Sequence, residues 1–187
     1  MLGEFFSVWE GAPSVVEGTD FVYCDASLDP NGEATECYWG DAETFEKIDF
    51  SIAAGQAVVI ECAEGMTVTA SGQVPIGDVT FTTAAQNNFS CNPFPATIDI
   101  QAIKIEGEGV GMLGEFFSVW EGAPTVVEGS DYVYCDASLD PNGEAKECYW
   151  GDAETFEKVN YAIPAGQGFV IESAADLTIT IAAPYTL

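Results

Sequence analysis

The sharpest polar constellation in the chain is the twelve-residue run DASLDPNGEATE at residues 25–36, which returns as DASLDPNGEAKE at 136–147. Read as a cation loop, it offers oxygen from Asp25, Ser27, Asp29, Asn31, Glu33 and Glu36, and from Asp136, Ser138, Asp140, Asn142, Glu144 and Glu147 in the second run. Oxygen ligands at positions one, three, five and twelve suit a hard cation, so calcium is a candidate cofactor. Two features point the other way. Pro30 and Pro141 stand where such a loop needs glycine for its sharp turn, and no helical pattern flanks either run. A solvent-facing acidic hairpin explains the same residues and is the expectation, with calcium as the alternative.

Cysteines border these runs. Cys24 and Cys37 recur as Cys135 and Cys148, whereas Cys62 has Ser173 as its counterpart and Cys91 lies in a stretch present once. The pairing that treats both copies alike joins Cys24 to Cys37, Cys135 to Cys148 and Cys62 to Cys91. The first two links would close a hairpin whose Asn-Gly step favours a tight turn. An even cysteine count used in pairs implies an oxidising, extracellular location. Free buried thiols are the alternative. Zinc is disfavoured, because twelve residues separate each repeated pair and the chain has no histidine to complete a site.

Missing residue types narrow the chemistry further. Thirty-one Asp and Glu face four lysines (Lys47, Lys104, Lys146 and Lys158), with no Arg or His, for a formal net charge of -27. No imidazole base and no guanidinium clamp are available, so nucleophile triads and bidentate phosphate sites are excluded. Paired carboxylates keep glycoside hydrolysis as a remote alternative; the expectation is no enzyme. Nucleic acid and anionic lipid are poor partners for so negative a surface. Copies of the chain also repel one another, so self-association requires cations, screening or an apolar interface.

Trp9 and Trp39 recur as Trp120 and Trp150. Exposed, they would stack on sugar rings; buried, they are ordinary core, which is the expectation. Asn88-Phe89-Ser90 matches the N-glycosylation sequon, making Asn88 a candidate acceptor. No apolar run approaches the roughly 20 residues of a membrane span, so no membrane insertion is expected. The opening MLGEFFSVWEG lacks the basic and apolar regions of a secretory leader and returns at Met112, which suggests a mature product or an excerpt of a longer array.

These residues sit on a duplication. Segments 1–47 and 112–158 differ only at Ser14/Thr125, Thr19/Ser130, Phe21/Tyr132 and Thr35/Lys146, and the similarity then decays while apolar positions persist. Residues 72–111 occur once. Short alternating or β-branched runs at FFSVW, DFVYCDA, ECYWGD, QAVVIEC, MTVTAS, DVTFTTA and TIDIQAIKIEG, punctuated by Gly, Pro, Asn and Asp, predict strands throughout. AETFEKI at 42–48 is the one candidate for a helical turn. The fold class expected is all-β, an antiparallel β-sandwich or jelly-roll-like module.

The order NPFPATIDI, YVYCDAS, CYWGD, IPAGQGFVIES, over about residues 85–175, resembles modules in secreted proteins of gliding and related bacteria. Those modules carry a GNPYPS-x-IDW-like start, a Tyr/Trp-rich middle and a GQGFFV-like late strand. Ile100 stands where that pattern has Trp. The resemblance implies a secreted or surface β-domain. It also implies that residues 74–187 form one complete module and residues 1–73 a module lacking its opening strands. A sandwich without those strands exposes sheet edges and apolar face. The function expected is therefore a secreted structural protein, a subunit of a fibre, sheath or matrix that self-associates head to tail. The alternatives are a single segment serving both copies in a self-contained monomer, and a glycan-binding or adhesion module with two equivalent sites.

Overall fold

A computed structural model describes residues 4–8, 21–49, 51–62, 67, 71–82, 87–119, 132–173 and 175–185. Copy one contributes β1 (Glu4–Val8), β2 (Phe21–Cys24), β3 (Tyr38–Asp41) and β4 (Val58–Cys62), which form an antiparallel sheet in the order β3-β2-β1-β4. The single stretch supplies β5 (Val79–Thr82), β6 (Asn87–Cys91), β7 (Ile98–Asp99) and β8 (Ile103–Glu106). Copy two supplies β9 (Met112–Val119), β10 (Tyr132–Cys135), β11 (Tyr149–Asp152), β12 (Ala162–Ile163), β13 (Gly168–Ser173) and β14 (Thr178–Ile181).

Copy two rebuilds the sheet of copy one and extends it. Its order is β11-β10-β9-β13-β6, so β6 of the single stretch caps the edge of β13. The remaining strands of the single stretch form the facing layer, where β5 and β8 flank β14 and β7 pairs with β12. Every strand pairing is antiparallel. The result is the expected all-β sandwich.

Period-two alternation explains which side chains fill it. The five-stranded sheet sends Phe117, Tyr134, Trp150, Phe169 and Ile171 inward, and the facing layer answers with Ile98, Ile103, Ile105, Ile163, Ile179 and Ile181. All of these are at most 4% exposed. The described members of this core cluster all lie between Val79 and Tyr185. The opposite face of each sheet carries a small separate cluster, Val22, Cys24 and Tyr38 in copy one and Val133, Cys135 and Tyr149 in copy two.

The predicted helical turn at 42–48 is instead a hairpin turn. Phe45 and Phe156 adopt left-handed φ of 60° and 59°. In copy two the Phe156 N–H donates to the Asp152 carbonyl at 2.9 Å, and the Tyr149 hydroxyl donates to the Phe156 carbonyl at 2.9 Å. The Asp152 carboxylate accepts from the N–H groups of Glu154 and Thr155. These bonds hold a conformation that a bulky residue seldom adopts alone. Gly151 is required beside it, because a Cβ there would meet the Phe156 carbonyl oxygen at 3.0 Å. The expected strand MTVTAS, residues 66–71, lies largely outside the described residues.

Candidate functional site

The acidic runs are built around their own backbone. Asp25 accepts from the N–H and hydroxyl of Ser27 at 2.9 and 2.7 Å and so caps a 3-10 turn over Ala26–Leu28. Asp29 accepts from the N–H groups of Asn31, Glu33 and Ala34 at 3.0, 2.6 and 2.7 Å, and Asp140 repeats this with Asn142, Glu144 and Ala145. The amide of Ala34, then that of Asn31, holds the Asp29 carboxyl below the usual range. Asp136 likewise caps through Ser138.

Both carboxylate oxygens of Asp29 and of Asp140 accept from backbone amides, whereas Asp25 and Asp136 accept through one oxygen each. Among the described residues no group of three or more Asp, Glu, Cys or His converges as a metal site. Ser27, Asn31, Glu36, Ser138, Asn142 and Glu147 are exposed positions on the hairpins. Proline at the sixth position is compatible with this turn, which takes its left-handed residues at Gly32 and Gly143, with φ of 67° and 68°.

The described cysteines, Cys24, Cys37, Cys91, Cys135 and Cys148, stand as free thiols in the structure. The register places them as follows. Cys24 lies directly opposite Tyr38, and Cys135 opposite Tyr149, so each shares a sheet face with the tyrosine and not with the cysteine before it. Cys135 is fully buried in the outer cluster with Tyr149, whereas Cys148 packs against the main core on the other side. Cys37 is exposed while Cys24 is buried. The Cys91 thiol donates to the Gln56 carbonyl at 3.4 Å, beside the start of β4, whereas Cys62 ends that strand. Four residues of extended chain, about 13 Å, separate Val58 from Cys62. The side chain of Cys62 lies outside the described residues.

Asn88 sits in β6, half-buried, and its amide donates to the Ile171 carbonyl at 3.2 Å and the Ser173 hydroxyl at 3.4 Å. Trp150 is fully buried and its indole N–H donates to the Ile103 carbonyl at 2.9 Å, as a core tryptophan does. Trp9 and Trp120 lie outside the described residues.

What the structure brings together is the single stretch and the face of copy two. Gln101 is the main polar tie. Its amide nitrogen donates to the carbonyls of Trp150 and Val159 at 2.7 and 2.6 Å, and its oxygen accepts the Trp150 N–H at 3.2 Å. The Ile100 N–H donates to the Tyr161 carbonyl at 2.8 Å, and the Ile105 N–H to the Tyr134 hydroxyl at 3.4 Å. Burial pushes that tyrosine up to about 12. Asn92, 2% exposed, donates to the carbonyls of Ala96, Ile163 and Pro164 and accepts from the Phe94 N–H, joining the NPFP turn to the IPAGQG loop. Lys104 completes the joint with an ion pair to Glu147 at 3.3 Å. It lines, with Lys146 and Lys158, an open cavity of about 350 Å³ at the same seam.

The copy-one counterparts of Ile163, Tyr134, Phe169 and Ile171 are less buried. Ile163 is 0% exposed, and its counterpart Ile52 is 47% exposed. Tyr134, Phe169 and Ile171 are buried, whereas Tyr23, Val58 and Ile60 are only half-buried. The outer faces agree closely, with Val22 and Val133 both at 1% and Cys24 and Cys135 both at 0%. Ile52, Tyr23, Val58 and Ile60 thus stand less buried than their counterparts on the face that the single stretch covers in copy two. Among the described residues, copy one meets that stretch around Gly55 and Gln56: the Ser90 hydroxyl and Cys91 N–H donate to the Gly55 carbonyl at 2.7 and 3.1 Å, the Cys91 thiol donates to the Gln56 carbonyl, and the Val79 and Phe81 side chains lie beside Gly55.

Sequence reasoning missed β6 and Gln101. Asn-Asn-Phe-Ser is too polar to read as a strand, yet its amides find partners on both sides. A glutamine in the apolar run around Ile98–Ile105, which the structure places in a 3-10 turn over Ile100–Ala102, is a usable signal, since such a side chain must be hydrogen-bonded when covered. No family model matches the chain, and no curated protein or solved structure is similar enough to count as a relative.

Proposed function

We propose that the protein is a structural component of an extracellular fibre, sheath or matrix, built from β-units joined head to tail through their sheet surfaces. The observation that supports this is the matched pair of positions Ile52 and Ile163, 47% and 0% exposed on otherwise equivalent sheets. A unit that buries this face in one copy and exposes Ile52 in the other presents a heterologous surface, and heterologous contacts give an open fibre wherever the rotation between units does not close a ring. The charge of -27 sets the conditions. Units repel at low ionic strength, and contact through an apolar face becomes favourable when salt shortens the Debye length to about 10 Å at 0.1 M. Glycan stacking at two equivalent tryptophan sites draws no support from Trp150, whose ring is wholly covered.

Negative-stain microscopy and sedimentation velocity across protein and salt concentration test the reading. Polymers that grow with both are expected. A single species of the one-chain mass under every condition would sink it.

A further inference from the structure

We propose that the open cavity at the seam between copy two and the single stretch binds a small polycarboxylate through Lys104, Lys146 and Lys158. The chain has four lysines, and three of them line this one cavity of about 350 Å³. Two carboxylates, Glu144 and Glu147, share its wall. In the rest of the chain twenty-nine Asp and Glu face a single lysine, Lys47. The cavity thus reverses the sign of charge that the chain carries elsewhere.

The cluster is particular to copy two. Lys158 has Lys47 as its counterpart, but Lys146 stands where copy one has Thr35, and Lys104 belongs to the stretch present once. Of the four positions at which segments 1–47 and 112–158 differ, 35/146 is the one that alters charge.

The other polar groups of the wall are already committed. The Gln101 amide bonds the backbone of Trp150 and Val159, the Tyr149 hydroxyl donates to the Phe156 carbonyl, and the N–H groups of Glu144 and Ala145 donate to Asp140. The ammonium groups remain to meet a ligand, each with three N–H donors. Among the described residues Lys146 and Lys158 lie in no ion pair, and Lys104 pairs with Glu147, whose side chain is 79% exposed and free to turn to solvent.

These features define the ligand. Ammonium groups bind as point charges, without the planar fork of arginine or a nest of backbone N–H groups, so they select negative charge and not the shape of one oxyanion. The volume falls within the roughly 300–1,000 Å³ of small-molecule sites, well above what a single inorganic ion fills. Several carboxylates on a short carbon frame suit both the space and the three cations. A polymeric anion would run out over the surrounding carboxylates and be repelled. Exposed lysine–carboxylate pairs are individually weak and screened by salt, so a millimolar Kd that rises with ionic strength is expected. Binding here needs no neighbouring unit, so the site stands whether or not units assemble.

Titration of the whole nitrogen-15-labelled protein with tricarballylate, at ionic strength held constant with NaCl, tests this through amide chemical shifts. Saturable shifts with one millimolar Kd are expected at residues 104, 144–149 and 158. The duplicated amides 33–38 and 47 are the internal control and should stay still. Lys146→Thr, which installs the residue of copy one at an exposed position, should weaken binding at least threefold and leave the unfolding midpoint unchanged. Sulfate should bind at least fivefold more weakly. A second readout works at micromolar protein, where polymers would not obscure it. Cys148 lines the cavity and Cys37 is its exposed counterpart, so tricarballylate should slow alkylation of Cys148 by neutral iodoacetamide and leave the rate at Cys37 unchanged. Equal shifts in both copies, shifts that rise without saturating, or an affinity unchanged in Lys146→Thr would overturn the proposal. Sulfate binding as tightly as tricarballylate would reduce the cavity to a general anion site and overturn the assignment of its ligand.

Discussion

Replacing Ile163 and Ile52 by alanine, one at a time, compares one side chain at equivalent positions in two environments. Each change removes three carbons. At Ile163, 0% exposed, the lost transfer energy is roughly 0.8 kcal/mol per carbon, or about 2.4 kcal/mol. A residual cavity of about 60 Å³, at roughly 24 cal/mol per Å³, adds about 1.5 kcal/mol, for a total near 4 kcal/mol. At Ile52, 47% exposed, about half of the transfer term applies and water fills the space, so the loss is about 1 kcal/mol. The expected difference is about 3 kcal/mol, or roughly 10 °C in midpoint for a chain of this size. Urea unfolding followed by circular dichroism, extrapolated to water, measures both variants on one scale. Equal losses would mean that copy one's face is already covered, and the reasoning built on its exposure would fail.

Two further outcomes follow from single groups. Burial pushes the Glu115 carboxyl up, opposed by its bond from the Gly111 N–H. Its folded pKa lies above the unfolded value, so its charged form destabilises the fold at neutral pH and that effect is relieved as pH falls through the folded pKa. Asp29, Asp41, Asp140 and Asp152 are held down by backbone N–H bonds, so their contribution is present above the unfolded value, about 3.9, and is lost as pH falls through the folded pKa. Urea midpoints should thus rise on mild acidification from neutrality and fall steeply below about pH 4. Glu115→Gln should raise the neutral-pH midpoint and flatten only the upper slope; a lower midpoint at pH 7 would contradict this. For the cysteines, native alkylation should modify exposed Cys37 and spare Cys24 and Cys135, whose thiols burial pushes up. Non-reducing peptide maps should show no link between Cys24 and Cys37 or between Cys135 and Cys148, and finding either link would overturn the strand register.

Much of the architecture was legible beforehand because strand signals are local. Alternation in FVYC and YWGD, and β-branched runs in IDIQAIKIE and LTITI, mark strands whatever surrounds them. The unequal duplication is likewise plain in the letters, and it locates the one segment without a repeat. Which face a residue occupies is decided by register, and register depends on long-range partners. Cys24 and Cys37 look like hairpin partners at C-x12-C spacing, but the pairing of Cys24 with Tyr38 puts them on opposite sides. The acidic runs look like ligand loops, but Asp29 and Asp140 turn inward to backbone amides that sequence spacing does not reveal. The same holds for the isoleucines: the duplicated sequence makes Ile52 and Ile163 equivalent, and only the packing of the single segment against one of them distinguishes a core residue from an open surface.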